Sequence, residues 1–183
     1  MLQLTRDNRS FSFARLALLS RRLTESLLRM ISTTAPRIRT EVQVMFFDTD
    51  CGGVVSNIAY LRFIEIARTL LAEELGLRLA RMNQDKRYPV VIRTEIDYRC
   101  AAKLGDRLVV EGWLDQLERV RFWCAFRIVR PDDNALIAEC RQMLALIEMP
   151  AAKLLRLPED WGKYRGSTLN SPSHAASETA ARP

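Results

Sequence analysis

The chain has 183 residues, enough for one well-packed domain and too few for two ordinary ones. Hydrophobic residues make up 48% and charged residues 27%, which excludes collagen-like, coiled-coil and wholly disordered chains, and no apolar run reaches the roughly 18–20 residues that span a bilayer. The net charge of +6 lies within residues 1–39, where eight arginines face only Asp7 and Glu25, so the balanced remainder gives no electrostatic case for a nucleic-acid-binding domain.

Residues 1–36 are rich in Arg, Ser and Leu and poor in acids, the flavour of an amphipathic transit-type leader. Arginine outnumbers lysine 24 to 4 along the whole chain, however, so arginine richness is weak evidence for targeting. The expectation is a basic extension outside the fold, with Met30 as a sensible start just before the first strand. TEVQVMFF (40–47) alternates Val42, Val44 and Phe46 against Gln43 and Met45, the period of a strand. Residues 48–53 hold Asp, Thr and two glycines and predict a turn. A long helix follows, capped near Ser56 or Asn57 and stopped at Gly76. Its charges, Arg62, Glu65, Arg68 and Glu73, form one narrow stripe, while Ile58, Tyr60, Leu61, Phe63, Ile64, Ile66, Leu70 and Leu71 fill the rest, so burial on more than one side is expected.

After a polar loop, segments 89–99, 107–115, 119–129 and 135–149 read as long strands. Leu117-Glu118 and residues 131–134 supply tight connections, which predicts antiparallel hairpins. The economical architecture is α+β: a curved, five-stranded antiparallel sheet wrapped around one long helix, over residues 37–162. Apolar residues left on the sheet's outer face would pair it with a second subunit. Residues 163–183 read as a disordered tail.

The only histidine, His174, lies in that tail, so neither a Ser-His-Asp or Cys-His machine nor a multi-imidazole metal site fits the folded segment. Cys51, Cys100, Cys124 and Cys140 show no CxxC spacing, three of them in apolar strand-like contexts. They read as reduced thiols of a cytoplasmic protein. Chemistry concentrates in FFDTDCGGVVSNIAYLRFIEIAR (46–68), where Asp48 and Asp50 precede Cys51-Gly52-Gly53 and a helix N-terminus. The first amides of a helix lack intrahelical acceptors and sit at the positive end of its dipole. Such amides stabilise an oxyanion, glycines let a ligand approach the backbone, and a neighbouring carboxylate attacks or activates water. Asp before Gly is also ordinary turn chemistry, so these residues alone leave both readings open.

The same segment resembles the signature of hotdog-fold acyl-CoA thioesterases of the 4-hydroxybenzoyl-CoA thioesterase type. In that family an aspartate precedes a Gly-Val-Val turn that enters an Asn/Ala-Tyr-Leu…Glu-x-Ala-Arg helix. EIDYRCAAKLGDRLVVEG (95–112) is similar to the family's strand–turn–strand, and LPEDW (157–161) to its C-terminal close, so the likeness covers about residues 38–162. It implies a hotdog fold and hydrolysis of an acyl-CoA, with coenzyme A part of the substrate and no separate cofactor or metal. It implies that Asp50 is nucleophile or general base and that the Asn57 backbone N–H polarises the thioester carbonyl. Gly53, Val54 and Tyr60 then belong to the substrate site, and Arg99, Lys103, Arg119 and Arg121 are candidates for the coenzyme A phosphates. Asp48 fits a turn role, and Glu65 with Arg68 a structural ion pair. The resemblance further implies a homodimer or tetramer with the site in a groove between subunits, and neither a nucleic-acid nor a membrane partner. The chain departs from the pattern at Ser56-Asn57, where an aromatic or histidine pair is frequent, and at Ala101, where the family has Pro. Alternatives on the same fold are a non-catalytic acyl-CoA-binding or regulatory module and a thioesterase acting on acyl-carrier protein.

Overall fold

The computed structural model describes residues 35–165, so the leader and tail expectations, on residues 1–34 and 166–183, lie outside the described residues. Five strands make the body of one antiparallel sheet: β1 (Arg37–Gln43), β2 (Arg87–Tyr98), β3 (Arg107–Leu117), β4 (Arg121–Arg130) and β5 (Ala135–Glu148). Their order is β1-β3-β4-β5-β2, and a sixth, two-residue strand β6 (Lys153–Leu154) pairs with the end of β5. The long helix, α1, runs Asn57–Glu74 and packs over β1, β3 and β4. This is the α+β hotdog arrangement, with the helix as filling.

The expected helix and its caps are observed. Ser56 is the N-cap, its hydroxyl accepting from the Ala59 amide, and Gly76 follows the last turn with φ 83°. Only one face of α1 is buried within the chain: Ala59, Tyr60, Phe63, Ile64, Ala67, Leu71 and Ala72. Burying a side chain such as Phe63 or Leu71 stabilises the fold by about 1.5–3 kcal/mol each. Ile58, Leu61, Ile66 and Leu70 remain exposed on the opposite side, so burial on more than one side does not hold within a single chain.

Three further expectations change. The first strand ends at Gln43 instead of running through Phe47, because Val44 turns its N–H to the Asp106 carbonyl and the Asp48 carboxylate accepts from the Met45 N–H at 2.8 Å. Residues Phe46–Asp48 consequently form a 3-10 turn that leaves Phe46 and Phe47 in solvent. The polar loop before β2 contains a short helix, α2 (Leu79–Asp85), with no buried residue and so no apolar period to announce it. The sheet's outer face carries charge beside its apolar residues: Trp113, Ala125 and Trp123 lie on it, with Arg37 and Arg141 over the two indoles. Register puts Arg39, Glu111, Arg127, Glu139 and Asp97 in one row across the five strands, and Arg141 and Arg99 on this face are ion-paired to Asp115 and Glu139.

The core lies between α1 and the sheet's inner face, where Leu108, Val110, Leu114, Phe122, Phe126, Ile128 and Leu144 meet the helix. Trp161, from a C-terminal 3-10 segment (Glu159–Tyr164), closes the far end. Its indole N–H donates to the Leu75 carbonyl at 2.9 Å and its ring meets Phe122 edge-on. Among the described residues no helix is long and apolar enough to cross a membrane.

Candidate active site

The turn between β1 and α1 folds into a small hairpin. Thr49 bridges to Val55, the Asp50 amide donates to the Val54 carbonyl at 2.9 Å, and Val54 bridges to Lys103 in the β2–β3 connection. Gly53 makes the turn with φ 72°, a left-handed conformation that a residue with Cβ adopts at a cost. A Cβ on Gly52 would sit 3.1 Å from Asp50 Oδ1, which accepts from the Gly52 amide at 2.8 Å. Both glycines therefore serve the position of one carboxylate, and that carboxylate is exposed.

The two aspartates have different fates. Asp48 is 1% exposed. It is ion-paired to Arg62 on α1, accepts from the Met45 amide, and its carbonyl takes the Ser56 N–H at 2.9 Å. Through these contacts Asp48 fixes the helix start to the preceding turn, the structural role its sequence position suggests. The Arg62 guanidinium also lies over the Phe47 ring at 5.0 Å, bracing the 3-10 turn.

At the helix start the Ala59 and Tyr60 amides turn back to the Ser56 carbonyl at 3.0 and 3.3 Å. The Asn57 and Ile58 amides precede them, at positions with no intrahelical acceptor and at the positive end of the helix dipole. Both residues are exposed. Asp50, Gly53, Val54, Asn57 and Lys103 are thus gathered at one end of the molecule by the hairpin, the helix start and the Val54–Lys103 bridge. Tyr60 stands behind them, 4% exposed. Its hydroxyl accepts from the Ala102 N–H at 3.0 Å and its ring lies 5.4 Å from that of Tyr98. Burial pushes the Tyr60 phenol above its ordinary pKa, opposed by the Ala102 hydrogen bond, so the group stays protonated.

The other cationic candidates are elsewhere. Arg99 lies on the outer face, bonded to Glu139 at 3.2 Å and 3.6 Å from Asp97, along a concavity of about 490 Å³ that also includes Trp113 and Arg141. Arg119 and Arg121 are at the β3–β4 turn, beside the helix's C-terminal end, where Arg165 reaches the Glu118 carbonyl. β3 alone separates them from the Lys103 end by about 30 Å, at ~3.3 Å per residue.

Sequence reasoning missed the clamp that shapes the Lys103 loop. Arg130 bonds Asp106 at 3.0 Å, Asp133 at 2.7 Å and the Ala101 carbonyl at 3.3 Å, while Asp106 accepts from the Lys103 amide. The Arg130–Asp133 spacing was a legible signal of one bond. The link to Asp106 needed the β3–β4 pairing. The expected Glu65–Arg68 pair is present at 3.1 Å. All four cysteines are free, with Cys124 and Cys140 buried and Cys51 and Cys100 exposed. Among the described residues no three or more His, Cys, Asp or Glu side chains form a metal-binding group.

An exposed carboxylate on a glycine turn, next to a helix N-terminus, is able to attack a carbonyl or activate water while amides hold the developing oxyanion. Known proteins resemble the chain over most of its described residues. The model of the thioesterase-like superfamily aligns with residues 44–163. An acyl-CoA thioesterase YbgC from Haemophilus influenzae is 29% identical over 120 residues, covering 65% of this chain and 87% of that protein. A 1,4-dihydroxy-2-naphthoyl-CoA hydrolase from Synechocystis is 32% identical over 123 residues, covering 66% of this chain and 88% of that protein. Among solved structures, a 1,4-dihydroxy-2-naphthoyl-CoA thioesterase from Synechocystis superposes with a TM-score of 0.63 at 26% identity, covering 72% of this chain and 97% of that one.

Proposed function

Because the chain belongs to the thioesterase-like superfamily, we propose that it hydrolyses an acyl-CoA thioester to a free acid and coenzyme A, with Asp50 as the reacting carboxylate. The observation that carries this reading is the contrast between the aspartates: Asp48 is buried and tied to Arg62, Met45 and Ser56, whereas Asp50 is exposed and held by glycines beside free helix amides. Asp50 acts as nucleophile or as general base toward water. The Asn57 N–H, at the positive end of the helix dipole, receives the charge that develops on the carbonyl oxygen. Gly53 and Val54 line the approach, and Lys103 offers a cation to the phosphates of coenzyme A. Tyr60 acts from behind, by holding the Ala102 amide and hence the Lys103 loop.

The working unit is a homodimer or a larger even assembly. The apolar residues Phe46, Phe47, Ile58, Leu61, Ile66 and Leu70 are exposed in the single chain, and β2 pairs on one side only. Exposed apolar surface of this kind marks an interaction site. Arg119 and Arg121, remote from Asp50 in their own chain, then serve the neighbour's site. Four free thiols fit a reducing, cytoplasmic setting.

The test is thiol release from aliphatic and aromatic acyl-CoAs by the purified protein, with the free acid identified as co-product. Release of both in equal amounts is expected. Tight binding of acyl-CoA without turnover would contradict hydrolysis and favour a binding or regulatory module.

A further inference from the structure

One buried residue ties the two halves of the site together. Ala102 is fully buried, its N–H donates to the Tyr60 hydroxyl on α1 at 3.0 Å, and its carbonyl accepts from the Val55 N–H of the Asp50 hairpin at 2.9 Å. The Asp48 contacts secure the base of the turn, and the hairpin beyond it carries Asp50. Among the described residues, the Val55–Ala102 bond and the adjoining Val54–Lys103 bridge are what join residues 49–55 to the loops of the sheet. The placement of the Asp50 carboxylate against the first amides of α1 therefore depends on where Ala102 sits.

Packing does little to hold the loop that contains it. Between Tyr98 and Leu108, Ala102 alone is buried, and Leu104 points its side chain into solvent. With so little apolar surface removed from water, the loop takes its shape from polar contacts. It closes as a tight turn: the Asp106 carboxylate accepts from the Lys103 amide at 2.9 Å, the Asp106 N–H returns to the Lys103 carbonyl at 3.1 Å, and Gly105 has φ 87°. Val44 bonds the base of the turn, donating to the Asp106 carbonyl at 2.9 Å and accepting from the Gly105 N–H at 3.1 Å.

Arg130, at the end of β4, grips this turn on both sides of Ala102. Its Nη1 donates to Asp106 Oδ2 at 3.0 Å and to the carbonyl of Ala101 at 3.3 Å. Its Nε and Nη2 donate to the two carboxylate oxygens of Asp133 at 3.0 and 2.7 Å, and Asp133 Oδ1 accepts in turn from the Ala135 amide at 3.1 Å. One edge of the guanidinium is thus fixed to the β4–β5 turn while the other holds the loop. Charge-assisted, bidentate bonds of this kind are geometrically strict, and a lysine, with three donors and no planar fork, cannot make all four. We infer that Arg130 is a positioning residue of the reaction: by holding Ala101 and Asp106 it sets Ala102, and through Ala102 the position of the Asp50 carboxylate against the amides at the start of α1. This rests on the thioesterase reading.

The test measures kcat and KM separately for thiol release from whichever of an aliphatic and aromatic acyl-CoA panel the parent turns over fastest. The full chain is used, as parent, Arg130→Ala, Arg130→Lys, Asp106→Asn and the Arg130→Ala/Asp106→Asn double variant, below the melting temperature of each. Trp161→Phe serves as a control, because it removes a hydrogen bond at the far end of the molecule. Arg130→Ala should lower kcat by roughly tenfold to a hundredfold, the scale of a small misplacement of reacting groups, with a smaller rise in KM. Arg130→Lys should fall between it and the parent. Asp106→Asn should also lower kcat, and the double variant should lose less than the product of the two single losses, because both residues act on one loop. Trp161→Phe should keep the parent kcat. Asp106→Asn preserves size and an acceptor for the Lys103 amide, so it gives the result should Arg130→Ala fail to fold. A kcat within about threefold of the parent in Arg130→Ala, independent losses in the double variant, or an equal kcat loss in Trp161→Phe overturns this inference alone. No turnover of any acyl-CoA by the parent overturns the thioesterase reading, and this inference with it.

Discussion

Replacing Asp48 by Ala removes a carboxylate that is 1% exposed and tied to two different elements. The Met45 N–H loses its acceptor, a loss of about 1–3 kcal/mol for a buried donor and nearer the low end for this part-buried one. Breaking a fully buried ion pair costs about 3–5 kcal/mol. The Arg62 side chain is 48% exposed, however, so water takes over much of its solvation and the pair term falls well below that range. The sum is about 2–4 kcal/mol, or roughly 4–16 °C in melting temperature for a chain of this size. Denaturant melts of parent, Asp48→Ala, Arg62→Ala and the double variant give both the total and the coupling. Arg62→Ala alone should cost about 1–3 kcal/mol, because it leaves Asp48 buried without its partner, and the double variant should cost less than the sum. Additive effects, or an Asp48→Ala loss below 1 kcal/mol, would refute the claim that this pair fixes the helix to the turn.

Other expectations follow from the same contacts. A Cβ on Gly112 would lie 2.9 Å from two ring carbons of the buried Phe126 and 3.2 Å from Ile38, so Gly112→Ala should destabilise by about 1–3 kcal/mol, relieved in part by Phe126→Leu, as denaturant melts would read. Trp161→Phe leaves the Leu75 carbonyl without its donor and should cost about 1–3 kcal/mol in the same assay. Iodoacetamide at pH 8 should modify two thiols, Cys51 and Cys100, in the native protein and all four after denaturation, by mass spectrometry. The sign follows from burial: Cys124 and Cys140 are raised from 9.0 to about 12, so the folded thiols stay protonated where unfolded ones ionise, and stability falls as pH rises from about 9 towards 12. A third thiol labelled in native protein would contradict the core packing.

The parts legible in the sequence were those set by local pattern. The caps at Ser56 and Gly76, the antiparallel strands and the Asp50 turn all follow from periodicity and turn chemistry within a few residues. The overrun of the first strand had a specific cause. Residues 40–47 keep the strand alternation, but the Asp48 carboxylate bends the chain back on Met45, a contact that the alternation does not encode. The breadth of the apolar helix was misleading in a single chain, because Ile58, Leu61, Ile66 and Leu70 face outward. Candidate cations were legible as types and not as places: Lys103 reaches the Asp50 hairpin through a bridge, whereas Arg119 and Arg121 sit at the other end of β3. Long-range contacts such as Arg130 to Asp106 and Arg68 to Gln142 depend on strand register, which no local spacing encodes.

The central claim is that Asp50, not Asp48, carries the reaction. Its most direct test is kcat/KM for thiol release by parent and Asp50→Asn, measured beside their melting temperatures. Asp50 is exposed and makes one side-chain hydrogen bond, to Gly52, so the fold should change by no more than about 1 kcal/mol while activity falls by roughly a hundredfold or more. Activity within threefold of the parent, in a variant that melts at the same temperature, would contradict the account.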